Sequence, residues 1–247
     1  MTFDFPYFWH LLFSTAFLAP AWTTFWVTVA AMAIGLALGL FGALGAMSRH
    51  SSLRWIVAGY LWLVRGTPVL VQIVFWYDAV AELTNNIINL PALIAGVVAL
   101  GINEGAYMTE IVRAGLLSVD PGQREAARSL GMTNALTMRR IVIPQAVRII
   151  IPPTGNQFIG MLKTTSLLFT IAVPEIFAQG TNIYTVNFRY FEVLCVVSIW
   201  YLALTTVLTL AQRRLERRVG LERARLGGAG QGLLSRLFGA GAAREAR

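Results

Sequence analysis

Residues 122–153 read GQREAARSLGMTNALTMRRIVIPQAVRIIIPP, and this stretch decides the fold. It carries four arginines before its first proline and lies between long apolar runs, so it cannot be embedded in lipid. Residues 123–130 are good helix formers, and Gly131 is expected to break or cap that helix. A second polar stretch, residues 133–140, leads into apolar residues 141–151. The pattern predicts a short surface helix, a hinge and a return into the membrane.

Composition supports this interpretation. The 247 residues are 56% hydrophobic and only 13% charged, which is typical of an integral membrane protein. The 20 basic residues exceed the 12 acidic ones, but they are not interleaved with aromatic residues on a polar face, so a nucleic-acid partner is not expected. The single cysteine, Cys195, lies in an apolar run, which excludes a disulfide framework and a cysteine-rich metal site.

Five apolar runs are long enough to cross a membrane, which predicts an all-α integral membrane protein with about five transmembrane helices. They are residues 22–47, 53–77, 91–113, 141–163 and 191–211. Residues 1–21 form a short N-terminal segment that we expect to be retained as an interfacial helix, because no lysine or arginine precedes its apolar part. Residues 22–218 make up the membrane domain, and residues 219–247 are expected to form a disordered or surface-bound basic tail.

The distribution of lysine and arginine predicts the orientation of these spans. Residues 1–21 and 80–90 carry none, and residues 164–189 carry only Arg189. By contrast, residues 113–148 carry six, and the chain from Arg213 onward carries nine. This alternation places the N-terminus outside and the C-terminus in the cytoplasm. It also places the loop at residues 174–189 on the outer side.

Two features of the first and second spans concern the backbone. Gly35 and Gly39 form a small-x-x-x-small step that Gly42 continues, so another helix is expected to pack closely there. The second span contains Arg65-Gly66-Thr67-Pro68, and the proline should break or kink the helix inside the membrane. The half-helix that follows would present unpaired amides, as broken helices do at transporter sites. A kink that serves packing alone is the alternative.

The third span contains a polar stripe. Asn103, Tyr107 and Glu110 share one face, and Glu104 lies beside it. A carboxylate at this depth must face the protein interior or water, so Glu104 is expected either to pair permanently with Arg65 or to meet the ammonium or basic side chain of a substrate. In the second case, Arg65 or the amides after Pro68 would meet the substrate carboxylate. We expect Glu110 to pair with Arg113.

Further polar residues complete the predicted substrate path. Thr165 and Ser166 follow the fourth span and are candidates for ligand contact. The expected substrate-path residues are Arg65, Thr67, Pro68, Gln72, Asn103, Glu104, Tyr107, Thr165 and Ser166.

The opening stretch resembles the EAA loop of the membrane subunits of ABC importers. That family's pattern is Glu-Ala-Ala, three residues, Gly, nine residues, Ile, one residue and Leu-Pro. Here residues 125–127 are Glu-Ala-Ala, Gly131 and Ile141 stand at the matching spacings, and Ile143-Pro144 replaces Leu-Pro. The resemblance implies that residues 122–144 form the cytoplasmic coupling helix that docks on an ATPase subunit. The matching coupling residues are Gly122, Glu125, Ala126, Ala127, Gly131, Ile141 and Pro144.

Three other segments resemble the polar amino acid branch of these permeases: residues 65–72, residues 110–115 and residues 152–158. The resemblance implies a non-catalytic permease subunit of the bacterial inner membrane that imports polar amino acids. It would work with a second permease subunit, a cytoplasmic ATPase dimer that uses ATP and Mg²⁺, and an extracytoplasmic binding protein. No cofactor is expected on this chain, since it lacks a Walker A motif.

Two alternatives stay open at this point. The charges within the membrane would also suit an ion-coupled secondary carrier or channel, although five spans without an internal repeat argue against it. Within the importer class, the substrate could be an opine or another polar solute.

Overall fold

The computed structural model describes residues 3–218, and this part of the chain is helical without β-strands. Its α-helices are α1 Phe5–Leu12, α2 Leu18–Ala46, α3 Ser51–Gly66, α4 Val69–Val74, α5 Val80–Leu83, α6 Ala92–Leu117, α7 Pro121–Ser129, α8 Asn134–Thr137, α9 Ile143–Thr164, α10 Ile176–Asn187 and α11 Tyr190–Arg218. The basic tail predicted at residues 219–247 lies outside the described residues.

The spans agree with the predicted architecture. Within residues 3–218, α2, α6 and α11 are each long and apolar enough to cross a membrane. Two bent pairs bring the number to five: α3 with Val69–Leu83, bent by 106°, and Asn134–Ile171 with α10, bent by 49°. The prediction of an all-α membrane protein with about five spans is confirmed. The first span begins at Leu18 rather than residue 22, because Pro20 falls in the first helical turn, where its missing N–H is tolerated.

The close packing predicted for the first span is confirmed between α2 and α6. A Cβ atom added at Gly35 would lie 2.7 Å from the Glu104 side chain, and one added at Gly39 or Gly42 would collide with Met108 or Thr109. The two backbones can therefore approach each other only because these positions lack side chains. This contact fixes the position of Glu104 and its neighbours relative to α2.

The N-terminal helix α1 is tied to the start of α11. Asp4 caps α1 by accepting a hydrogen bond from the Tyr7 amide (3.0 Å), and its carboxylate is ion-paired with Arg189. The Tyr7 amide and the Arg189 guanidinium together hold the pKa of Asp4 below its usual value. The Asp4 amide also donates to Glu192 (3.1 Å), and Asn187 donates to the Tyr7 hydroxyl (2.7 Å).

The connection at residues 174–189, which the sequence suggested to be a loop, is helical over most of its length as α10. Glu175 caps this helix by accepting hydrogen bonds from the amides of Phe177 (2.8 Å) and Ala178 (2.5 Å). Its carboxylate also accepts a hydrogen bond from the Tyr201 hydroxyl of α11 (2.6 Å). The cap and the packing of α10 against α11 outweigh the weak helix propensity of Gly180 and Asn182 within this helix.

Candidate functional site

The predicted break in the second span is confirmed. Helix α3 ends at Gly66, Thr67 and Pro68 are extended, and α4 begins at Val69 after the chain turns by 106°. A helix that ends within the membrane leaves backbone carbonyls without partners, and lipid offers no replacement donor. The carbonyl groups of the last turn of α3 therefore need side-chain donors.

Two side chains supply these donors. The Thr67 hydroxyl donates to the Leu63 carbonyl (2.9 Å), and the Gln72 amide nitrogen donates to the Val64 carbonyl (2.7 Å). The same nitrogen lies 3.2 Å from the Thr67 carbonyl and 2.9 Å from its hydroxyl. Gln72 was expected on the substrate path, but its amide nitrogen is committed to capping α3, so it acts on the path only through its neighbours.

Removal of this cap should destabilise the protein. Gln72→Leu leaves the Val64 carbonyl without its donor in an apolar setting, at a cost of about 1–3 kcal/mol, and should lower the melting temperature in detergent. Gln145→Leu is the matched control, because Gln145 also donates to a backbone carbonyl, that of Ile141 (3.0 Å), but at an exposed position. Equal melting temperatures for the two variants would contradict the capping role.

A cavity of about 410 Å³ lies beside the break. Five of the predicted substrate-path residues line it: Thr67, Pro68, Asn103, Glu104 and Tyr107. Helix α9 contributes the opposite wall, which sequence reasoning did not place on the path: Gln157, Gly160, Met161 and Thr164. The spacing of three, four and seven residues among these four positions was the signal that they share one helix face.

Glu104 is the most unusual side chain of the cavity. It is 4% exposed, and its Oε1 atom has no hydrogen-bond partner within the described chain. A buried carboxylate oxygen without a donor is costly, so this oxygen is available to accept a hydrogen bond from a group that enters the cavity.

Asn103 is oriented by its neighbour. The Gln72 nitrogen faces the carbonyls of Val64 and Thr67, so the Gln72 oxygen must be the atom that faces Asn103. The Asn103 nitrogen accordingly donates to that oxygen (3.1 Å). The remaining side-chain oxygen of Asn103 accepts no hydrogen bond from the described residues. Asn103 and Glu104 therefore both offer acceptors to a ligand.

Arg65 lies outside this cavity and is ion-paired with Glu110. It also lies over the Tyr107 ring, 5.5 Å from the centroid. The expected alternative of a permanent Arg65–Glu104 pair is wrong, and Glu110 pairs with Arg65 rather than with Arg113. The reason is geometric: Glu110 lies six residues beyond Glu104 on α6, nearly two turns, and it is at the level of Tyr107 and Glu110 that the Arg65 side chain meets α6.

Thr165 and Ser166, which were expected on the substrate path, do not line this cavity. Thr165 is fully buried and donates to the Leu162 carbonyl (2.7 Å), while Ser166 donates to the Lys163 carbonyl (2.8 Å). Both belong to a 3₁₀ turn, Thr165–Ile171, that follows α9. Thr164 occupies the cavity face instead, because one residue along a helix rotates a side chain by about 100°.

The predicted coupling segment forms a surface helix followed by a hinge. Helix α7 begins after Asp120, whose carboxylate accepts a hydrogen bond from the Gly122 amide (2.7 Å). It ends at Ser129, and Gly131 follows the C-cap Leu130 with a left-handed φ of 74°. The Gly131 amide donates to the Arg128 carbonyl (2.9 Å) and the Met132 amide to the Ala127 carbonyl (3.0 Å), which together form a Schellman cap. The predicted end of the helix at Gly131 is confirmed.

The two sides of α7 differ in exposure. Ala127 is buried, and Gly122, Ala126 and Ile141 border a small cavity beside it. Glu125 is exposed, and Leu130 is 82% exposed.

Comparisons with known proteins agree with this arrangement. Residues 35–221 match the family model described as binding-protein-dependent transport system inner membrane component. The arginine transport system permease protein ArgU of Corynebacterium glutamicum is 40% identical over 83% of this chain and 69% of its own. The glutamine transport system permease protein GlnP of Escherichia coli K12 is 39% identical over 79% of this chain and 89% of its own.

A solved structure gives the same picture. The crystal structure of an amino acid ABC transporter with histidines contains a chain with a TM-score of 0.80 and 39% identity. The match covers 88% of this chain and all of that one. The MetNI methionine ABC transporter, at 19% identity and a TM-score of 0.69, shares the fold.

Proposed function

Because this chain belongs to the family of binding-protein-dependent transport system inner membrane components, we propose that it forms the membrane path of an ABC importer for polar amino acids. It is a permease subunit, and ATP is hydrolysed by a separate partner. Family membership sets aside the ion-coupled carrier that the membrane charges alone would have allowed. An opine, which resembles an amino acid in its charges, stays as the alternative substrate.

The observation that carries the proposal is the pair of acceptors in the cavity. Glu104 presents a buried carboxylate oxygen without a donor, and Asn103 presents a side-chain oxygen fixed by Gln72. An ammonium or guanidinium group supplies both positive charge and several donors, so it satisfies these two acceptors together. We therefore expect cationic and zwitterionic amino acids to be transported and acidic ones to be rejected.

The substrate carboxylate needs a different partner from the one expected from the sequence. Arg65 is engaged by Glu110 outside the cavity, so it is not the carboxylate partner in this proposal. Gln157 lines the opposite wall from α9 and offers a side-chain amide donor. An amino acid would then lie across the cavity with its cationic group at α6 and its carboxylate at α9.

The proposed assembly follows the orientation predicted from the charges, with the N-terminus outside and α7 in the cytoplasm. Two permease subunits, identical or paralogous, would enclose the path, and an ATPase dimer would dock at Glu125 and Leu130 of α7. A binding protein would deliver substrate on the outer side. Closure of the ATPase dimer would pull α7 and, through the short α8 segment, rotate α9 against α6, exposing the cavity to each side in turn.

The test is ATP-dependent uptake by proteoliposomes that contain the complex copurified with its ATPase, using labelled arginine, histidine, glutamine and glutamate. We expect uptake of arginine, histidine or glutamine to require ATP, and glutamate to be taken up poorly. An excess of an unlabelled opine tests the alternative substrate, because an opine that binds would lower the uptake of the labelled amino acids. Uptake that continues without ATP, or that prefers glutamate, would contradict the proposal.

A further inference from the structure

A second, apolar groove of about 590 Å³ lies between α2, α9 and α11. Ile151 and Phe158 of α9 border this groove, whereas Gln157 and Gly160 of the same helix border the substrate cavity. At about 100° per residue these pairs lie on different faces of α9. The groove is therefore separate from the proposed substrate path.

The groove has the length of a lipid chain in one leaflet. Its lining on α9 runs from Ile150 to Ile159, which is ~14 Å of helix at 1.5 Å per residue. This is about half the ~30 Å thickness of the hydrocarbon core. The walls on α2 and α11 include Leu36, Leu208 and Leu215, which provide an apolar surface for an acyl chain.

The polar side chain of Gln212 on α11 contacts α9 beside the groove. The Gln212 amide nitrogen donates to the Glu216 carboxylate of the same helix (2.9 Å), and it also lies 3.3 Å from the Pro152 carbonyl and 3.3 Å from the Asn156 side-chain oxygen. Gly155 leaves room for the Gln212 side chain, because a Cβ added at Gly155 would collide with it. The Gln212 side chain therefore lies between α9 and α11 beside the groove.

Two arginines stand at the end of the groove nearest α7. Arg148 precedes Gly155 by seven residues on α9, and Arg218 follows Ala211 by seven residues on α11; Gly155 and Ala211 both line the groove. Seven residues are nearly two helical turns, so each arginine shares the face of its groove residue. Helices α9 and α11 are antiparallel. Arg148 lies four residues before Pro152, and Arg218 lies six residues after Gln212. Both arginines are therefore ~6–9 Å beyond the contact of Gln212 with Pro152, at the same end of the groove. Both are exposed, and no ion pair between described residues engages either one.

We propose that this groove binds an anionic phospholipid from the leaflet on the α7 side. One acyl chain lies between α2, α9 and α11, and the phosphate is held by Arg148 and Arg218. Basic pockets between membrane helices bind such head groups through charge, while the apolar groove retains the chain.

The charge at the mouth of the groove selects this occupant over a second copy of the chain. A second copy packed here through the same face would bring its own Arg148 and Arg218 to the same level, so like charges would meet. A zwitterionic lipid would fill the apolar part of the groove, but its head group has no net negative charge to balance the two arginines. An anionic lipid matches both the apolar lining and the two arginines, while the nearby Glu216 carboxylate accepts a hydrogen bond from Gln212.

The experiment uses the full-length chain in phosphatidylcholine vesicles that contain a small fraction of phosphatidylglycerol with a photoreactive group in one acyl chain. Photoreactive phosphatidylcholine serves as the comparison, and labelled peptides are located by mass spectrometry. We expect phosphatidylglycerol to label the groove segments of α9 and α11 about tenfold more than phosphatidylcholine does. The double variant Arg148→Gln with Arg218→Gln should abolish this preference.

A control variant removes the same charge elsewhere. Arg49→Gln with Arg213→Gln should keep the preference, because Arg213 lies about 140° around α11 from Arg218 and Arg49 lies in the turn after α2. If the arginine variants fail to insert, Ala33→Phe provides a second test, because Ala33 is exposed and lines the groove. This variant should reduce labelling by both lipids.

Two results would overturn the proposal. Equal labelling by the two lipids would show that the arginines select no head group. Cross-links from the groove to another copy of the chain, in place of lipid labelling, would identify the groove as a subunit interface. Labelling does not depend on transport, so failure of this proposal would leave the proposed transport function intact.

Discussion

Glu104→Gln is expected to reduce uptake of a cationic amino acid by about ten- to a hundredfold, the range that follows from losing a hydrogen bond to a charged group worth about 1.5–3 kcal/mol. The substitution keeps the side-chain length and removes the negative charge. It also converts one acceptor into a donor, which an ammonium group cannot use. Uptake should be measured in proteoliposomes with the copurified ATPase, and the melting temperature should be measured on the same preparations.

The melting temperature separates a binding role from a structural one. The methylene groups of Glu104 pack against Gly35, and glutamine retains these groups. The carboxylate has an oxygen without a donor in the described structure, so neutralising it removes a buried charge rather than a pair. We therefore expect the variant to be at least as stable as the wild type while transport is lost.

The control for this experiment is Glu82→Gln. Glu82 lies on α5, is exposed and does not border the cavity, so its substitution should leave uptake unchanged. If Glu104→Gln transports normally and is also stable, the carboxylate has no part in binding. Selectivity would then lie in the binding protein.

The features that the sequence predicted correctly depend on the backbone. Pro68 lacks an N–H, Gly131 adopts a left-handed φ, and Gly35 permits close approach of another helix, whatever surrounds them. The fold and the ends of its helices follow largely from such positions and from apolar length. They could be predicted because each is a property of one residue type.

The features that the sequence did not predict depend on how helices are rotated and shifted against each other. The pairing of Arg65 with Glu110, rather than with Glu104, is set by the axial offset of α3 and α6. Thr164 rather than Thr165 lines the cavity, and these neighbouring residues differ in direction by the rotation of a single helical step. The capping role of Gln72 required knowing that α4 folds back beneath the end of α3. None of these offsets is encoded in a local pattern.

Gly131→Val is expected to uncouple ATP hydrolysis from uptake. Gly131 has a φ of 74°, and a left-handed conformation costs an ordinary L-residue about 1–2 kcal/mol, with β-branched residues least tolerant. The valine variant should therefore disrupt the cap in which the Met132 amide meets the Ala127 carbonyl (3.0 Å). This changes the direction in which the chain leaves α7 toward α9.

Crowding does not account for the expected effect, since a Cβ added at Gly131 has no atom within 4 Å. The backbone conformation alone is under test, and two variants isolate it. Gly131→Asn should retain much of the coupling, because asparagine tolerates the left-handed region. Gly59→Val should retain all of it, because Gly59 lies within α3 and its added Cβ also has no neighbour within 4 Å.

The measurement is the ratio of substrate taken up to ATP hydrolysed by the reconstituted complex. For Gly131→Val we expect this ratio to fall about five- to thirtyfold, because a strain of about 1–2 kcal/mol in the cap changes the equilibrium population of the docked geometry by that factor. The chain should still insert into the membrane, because Gly131 is exposed and lies outside the packed spans. If valine and asparagine give the same ratio as glycine, then the direction of the chain after α7 does not transmit motion. The contact between α7 and the ATPase would then act through the packing of Ala127 alone.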